Sequence, residues 1–167
     1  FLTAKPMVYV CNVSDEELSD FSNNEYVKKV EELAKKENSK TVVISAKIEQ
    51  ELGELELEEK LMFMEELGIS RSGLDELVAV SYDILGLKTF LTGGEQEVRA
   101  WTFKKGMKAP ECAGVIHSDF QKGFIRAETI SYTDLVEAGS EAKAKEKGKF
   151  RLEGKDYITK DGDVFHF

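Results

Sequence analysis

Two short stretches hold the residues with the most pointed chemistry. Asn12-Val13-Ser14-Asp15 follows an apolar, strand-like run, Met7-Val8-Tyr9-Val10-Cys11, and Ser45-Ala46-Lys47 follows a second, Val42-Val43-Ile44, about thirty residues on. An amide, a carboxylate and backbone groups at two strand ends can hydrogen-bond the edge of a heterocyclic base. The Asn12 amide suits a purine N7 or exocyclic amine, and Val13 offers backbone groups. Carboxyl ends of strands are where an open α/β sheet presents such groups. Ser45 and Ala46 are expected to present backbone amides to the base, with the Lys47 stem beside it. The plainer alternative is an ordinary strand end. None of these residues does covalent or acid–base chemistry. Phosphoryl transfer needs a phosphate cradle, Mg²⁺ and a positioned water, and no Gly-x-x-x-x-Gly-Lys-[Ser/Thr] occurs in the 167 residues. No catalytic residue is assigned, and Mg²⁺ is expected only with residues upstream of Phe1.

The elements that must position these groups are legible from pattern. Residues 7–12 and 41–44 read as strands, and Asn23 or Asn24 caps a helix with apolar Tyr26, Val30, Leu33 and Ala34 at three- and four-residue steps. This β-α-β unit implies parallel strands. Two strands do not make a stable sheet alone, so the fold is expected to begin upstream or to be completed by other residues. Residues 54–67 read as a helix ended by Gly68. A second helix, capped by Ser72 and ended by Gly86, is expected to bury Leu74, Leu77, Val78, Ser81, Ile84 and Leu85. Met62, Phe63 and Met64 suggest a partner-binding patch, but at helical spacing the core is the favoured reading.

From Lys88 the period becomes strand-like. A hairpin is expected over 89–103 with a Gly93-Gly94 turn, then a helix over 109–117 with Pro110 in its first turn. A strand over 124–130, a helical turn over 132–137 and a surface loop over 139–149 follow. Short strands over 157–159 and 164–167 close the chain. Together these suggest a small mixed sheet with a helix on one face.

Composition bounds the function classes. Net charge is −9, with 41% apolar residues and 33% charged, a globular rather than disordered balance. Residues 1–87 carry 9 Lys and Arg against 19 Asp and Glu, whereas 88–167 carry 14 against 13. The asymmetry suggests two units with different partners, although solvated surfaces explain it equally well. Two cysteines make no disulfide framework, and a reducing cytoplasm is the default. No apolar run is long enough to span a bilayer; neither DNA nor a membrane is expected as a partner. Arg99, Lys104, Lys105, Lys108, Lys122 and Arg126 beside Trp101 and Phe124 form a candidate RNA-binding face. The competing reading places Trp101 in the core and the lysines in ordinary turns. His117 and Asp119 are read as structural, and no metal site is assigned.

The most specific stretches are Lys5-Pro6-Met7 leading into Asn12, Glu97 to Thr102, Ile116 to Glu128, Gly154 to Tyr157 and Asp161-Gly162-Asp163. On these, the chain resembles the C-terminal portion of YchF-type proteins, members of the Obg-related group of P-loop NTPases, and the resemblance covers essentially its whole length. The resemblance implies an α/β fold: a C-terminal fragment of a P-loop nucleotide-binding (G-type) domain over 1–50, a helical connector over 51–83, and an α+β ubiquitin-like β-grasp (TGS) domain over 84–167. It also implies a ribosome-associated, cytoplasmic hydrolase of ATP, with GTP as the alternative nucleotide and rRNA as a partner. The fragment alone is expected to be inactive. In P-loop GTPases the base is read by an Asn-Lys-x-Asp loop and a Ser-Ala-Lys loop, which carries the base-reading role onto Asn12, Val13, Asp15, Ser45 and Ala46. Val13 stands at the Lys position. Asp15 stands where the YchF-type pattern usually has Glu, and an Asp there is what a guanine reader uses; ATP remains favoured on the missing Lys. The alternative is a stand-alone TGS-containing module that binds RNA or protein without catalysis.

Overall fold

The computed structural model describes residues 5–94 and 97–167, and the chain divides into two units at Leu85/Gly86. The first contains β1 (Val8–Asn12), α1 (Asp15–Leu18), α2 (Glu25–Lys36), β2 (Lys40–Ile44), α3 (Ala46–Glu54), α4 (Leu57–Glu66) and α5 (Gly73–Leu85). β1 and β2 run parallel with Asn12 opposite Ile44. The two loops that leave them therefore start side by side.

Asn24 supplies the cap of α2, its Oδ1 accepting from the Tyr26 and Val27 amides at 2.9 and 3.1 Å. The buried stripe of α2 keeps Ala34 of the expected set and takes Val27 in place of Tyr26. Val27 and Ala34 are buried, whereas Tyr26 is 80% exposed and Leu33 is exposed. Tyr26 and Val27 stand four and three positions before Val30 and both fit helical spacing, so periodicity alone does not choose between them. The expected helix over 54–67 is present as α4, starting at Leu57; α3 before it was not anticipated, and Leu55 is extended between the two. Ile48, Leu52 and Met64 bury together between them, with Phe63 partly buried alongside. Met64 is core as expected, but Met62 is not.

Ser72 caps α5, accepting from the Asp75 amide at 3.1 Å, and Glu49 accepts the Gly73 and Leu74 amides at 2.6 and 3.3 Å. Gly73 is required by close approach: a Cβ there would meet Ile44 Cγ2 at 2.5 Å. The expected buried stripe of α5 is only half covered. Leu74, Val78 and Leu85 are exposed, while Leu77, Ser81 and Ile84 are half-buried.

The second unit contains β3 (Leu87–Gly93), β4 (Val98–Lys104), α6 (Ala109–Ile116), α7 (Ser118–Gly123), β5 (Ala127–Ser131), α8 (Tyr132–Ala138), α9 (Glu141–Glu146), β6 (Arg151–Glu153) and β7 (Asp163–His166). Its sheet has the order β4-β3-β7-β5-β6, with β3 and β7 parallel. Residues 95 and 96, beside the Gly93-Gly94 turn, lie outside the described residues. One apolar cluster gathers Phe90, Phe103, Cys112, Phe124 and Phe165, and a second gathers Ile130, Ala138, Ala144 and Val164. The Phe90 and Phe165 rings meet edge to face at 5.7 Å.

Three expectations fail in this unit. The strand over 124–130 starts only at Ala127, because α7 runs to Gly123 and buried Phe124 caps its end. The expected loop over 139–149 holds α9, capped by Ser140 and anchored by fully buried Ala144. Alanines among alternating charges are good helix formers, which outweighed the flanking glycines. The strand over 157–159 reduces to one bridge, Lys108 to Ile158. Buried Asp163 holds that segment as a loop instead, accepting from Tyr157 Oη and the Lys160 amide, each at 2.8 Å.

Candidate nucleotide-binding site

The parallel register delivers Asn12 and Ser45 to the same sheet edge, and side-chain bonds then tie the two loops together. Asn12 Oδ1 accepts from the Ala46 amide at 2.9 Å. Ser45 Oγ donates to Asp15 Oδ1 at 2.7 Å, and Lys47 Nζ donates to Asp15 Oδ2. The Val13 amide donates to the Ile44 carbonyl at 2.8 Å. All five base-reading candidates thus lie in one cluster, at different depths. Ser45 is 1% exposed and Val13 8%, whereas Asn12 and Ala46 face solvent and Asp15 is half-buried.

Depth assigns different work to each. Ser45 and Val13 position their neighbours, and Ser45 also caps α3, its hydroxyl facing the Ile48 amide at 3.5 Å. The Ala46 amide, expected to meet the base, donates to Asn12. Asn12 is itself exposed, and the Asp15 carboxylate is bracketed by two donors. Lys47 beside Asp15 holds its carboxyl below the usual carboxylate range, with the Ser45 hydroxyl contributing; Asp15 in turn raises Lys47. The Lys47–Asp15 pair was not anticipated from sequence, although the parallel pairing of the two runs was the signal that could have found it.

Three comparisons bear on the chain. The family model YchF-GTPase_C, described as a protein of unknown function (DUF933), matches residues 87–167. "Ribosome-binding ATPase YchF" of Bacillus subtilis is 64% identical over 166 residues, covering 99% of this chain and 45% of that protein. The Escherichia coli O157:H7 protein of the same description is 49% identical over 167 residues, again 45% of its length. The chain belongs to the YchF family. A solved structure described as the YchF GTPase of Schizosaccharomyces pombe superposes with a TM-score of 0.84 at 34% identity, covering 99% of this chain and 44% of that one. A GTP-binding protein from Pyrococcus horikoshii shares the fold, with a TM-score of 0.64 at 21% identity. The chain spans a little under half the length of these YchF relatives.

The basic residues of the second unit do not all share one face. Arg99 and Lys104 both lie on β4, five positions apart, so their side chains leave opposite faces of the sheet. Lys105 sits in the turn that follows, Lys122 in the last turn of α7, 3.9 Å from Asp119, and Arg126 just before β5. Lys108 pairs with Asp156 at 2.7 Å. Neither aromatic is free for base stacking in the way expected. Phe124 is in the core, and Trp101 packs against it, bonding Thr92 Oγ1 at 2.9 Å, with the Arg99 guanidinium 4.1 Å from its ring centre. His117 Nδ1 accepts from the Asp119 amide at 3.2 Å. Among the described residues no cluster of metal-ligating side chains occurs, and no helix is long and apolar enough to cross a membrane.

Proposed function

We propose that this chain is the base-reading and partner-binding part of a cytoplasmic, ribosome-associated nucleotide hydrolase. Residues 1–50 complete a nucleotide-binding domain, 51–83 serve as a helical connector, and 84–167 form a TGS-type β-grasp module. The observation that carries the reading is the pair of cross-loop bonds, Asn12 to Ala46 and Asp15 to Ser45, at the carboxyl edge of parallel strands. The names of the relatives support ribosome association and ATP hydrolysis. ATP is favoured over GTP for a reason internal to the site. Guanine would need a lone pair on each Asp15 oxygen for its N1 and N2 donors, and Ser45 and Lys47 already take one of the two on each; adenine makes no such demand.

The test is calorimetric titration of the full-length protein containing this segment with ATP and with GTP, beside an Asn12→Ala variant. Tighter ATP binding that weakens about tenfold in the variant supports the reading. Equal or GTP-favouring affinities overturn the ATP assignment, and an indifferent Asn12→Ala variant removes this loop from the base site. A stand-alone binding module is the second reading, favoured by the separate apolar core of residues 86–167. Salt-sensitive cosedimentation of the chain with ribosomes, reduced by changing Lys104, Lys105 and Arg126 to Ala, supports it.

A further inference from the structure

The α3–α4 hairpin carries a groove of about 500 Å³ whose floor is Leu55, Met62 and Phe63 and whose rim is Glu51, Glu54, Glu59 and Glu66. The apolar surface continues along α4, where Leu57 is 70%, Leu61 57% and Met62 63% exposed. The lining contains no basic residue. Lys47 lies 3.9 Å from Glu51, but its closer partner is Asp15. Over residues 46–66 the chain has eight acidic side chains against two basic ones.

We propose that this groove is a protein-docking surface for a basic amphipathic segment of a partner, its leucine-like anchors seated on Met62 and Phe63 and its lysines or arginines paired with the glutamate rim. Charge decides the class of partner. A four-glutamate rim repels nucleic-acid phosphates and anionic lipid headgroups, and attracts a cationic peptide. The floor supplies what charge alone does not. An exposed apolar floor gains from burial, and the Met62 thioether adapts its shape to different anchors. α4 spans ten residues, about 15 Å at 1.5 Å per residue, enough to meet two turns of a docked helix. This surface meets the Asn12 to Ala46 cluster through the Lys47–Glu51 contact and does not depend on which nucleotide binds there.

The experiment is fluorescence anisotropy of the 167-residue chain with three labelled probes: a Leu/Lys amphipathic peptide, its Leu/Glu counterpart, and oligolysine of the same length. Backbone amide shifts are mapped in parallel by NMR. The expected result is binding of the Leu/Lys probe alone, with shifts centred on 51–66. Met62→Asp and the Glu59→Lys, Glu66→Lys pair should each weaken it by about tenfold. Because Met62 is largely exposed, that variant keeps its fold, which circular dichroism checks. Equal binding of oligolysine, or an unchanged affinity in both variants, reduces the effect to diffuse charge and overturns the proposal. Displacement of the probe by single-stranded RNA overturns the choice of partner. Self-association of the parent chain that Met62→Asp abolishes would make a second copy the occupant, and would overturn it too.

Discussion

Lys47 and Asp15, 32 positions apart in sequence, form an ion pair at the carboxyl edge of β1 and β2. The pair engages the carboxylate that is the strongest acceptor among the candidate base-reading groups. Lys47→Met keeps an apolar stem and removes the cation. Its expected effect is to bring the Asp15 midpoint back up toward the ordinary 3.8, read from the carboxyl carbon shift in an NMR titration. An Asp15 midpoint already at 3.8 in the parent chain would show that the pair does not persist in solution.

The same pair sets a pH dependence. The Asp15 pKa is lowered on folding, so its contribution is present above the unfolded value and fades as pH falls through the lower folded midpoint. Lys47 is raised above 10.5, so its side of the pair is lost only above that pH. Across neutral pH the cross-loop bonds are expected to be constant. Amide shifts of Ala46 and Lys47 that move between pH 6 and 8 would contradict this.

Ser45 is buried with its hydroxyl shared between Asp15 and the first turn of α3. Ser45→Ala removes the cap and one of the two donors to the carboxylate. It should cost about 1 kcal/mol in urea unfolding and raise the Asp15 midpoint by less than Lys47→Met does. A variant as stable as the parent would mean that the hydroxyl does not cap α3.

The parallel β1–β2 pair and the meeting of its two loops were readable because an apolar run, a polar loop and a β-branched run repeat one simple unit. What lay beyond reach was the depth of each group. Ser45 and Ala46 are adjacent in sequence, yet one is enclosed and the other faces water, a distinction made by the start of α3, which looks like a loop in sequence. On α2 Ala34 is buried as expected, but Val27 takes the place of Tyr26, because both fit the spacing to Val30. On α4, the same helical spacing suggested one fate for three residues, whereas Met64 is buried and Met62 is not. In the second unit the cationic residues were a candidate face beside two aromatics, against a reading of ordinary turn residues. Strand alternation sends Arg99 and Lys104 to opposite faces.

Asp163 is 1% exposed and gathers Tyr157 Oη, the Lys160 amide and, at 3.4 Å, Arg151 Nη2. Burial raises the Tyr157 hydroxyl well above its ordinary range, and the hydrogen bond to Asp163 raises it further. Asp163→Ala leaves two enclosed donors without their acceptor and should cost about 3 kcal/mol, with Tyr157→Phe costing about 1 kcal/mol. Denaturant midpoints of the transition of residues 86–167 measure both. If Asp163→Ala matches the parent, water must satisfy those donors and the loop does not depend on the carboxylate.

The two thiols should react at very different rates. Cys112 is fully buried in the second unit, and burial pushes its thiol up to about 11. At pH 8 only about one molecule in a thousand then carries the reactive thiolate, and a reagent has no path to it in the folded unit. Cys11 is half-buried on β1, its pKa raised to a smaller degree, first by burial and then by Glu31. Iodoacetamide at pH 8 should therefore add one label rapidly, at Cys11. A second appears only as fast as residues 86–167 unfold, so its rate should rise with urea and rise further in Asp163→Ala. Peptide mapping by mass spectrometry assigns each label. Two labels acquired at similar rates in native buffer would mean that the core around Cys112 opens far more readily than its packing against Phe90, Phe103 and Phe165 implies.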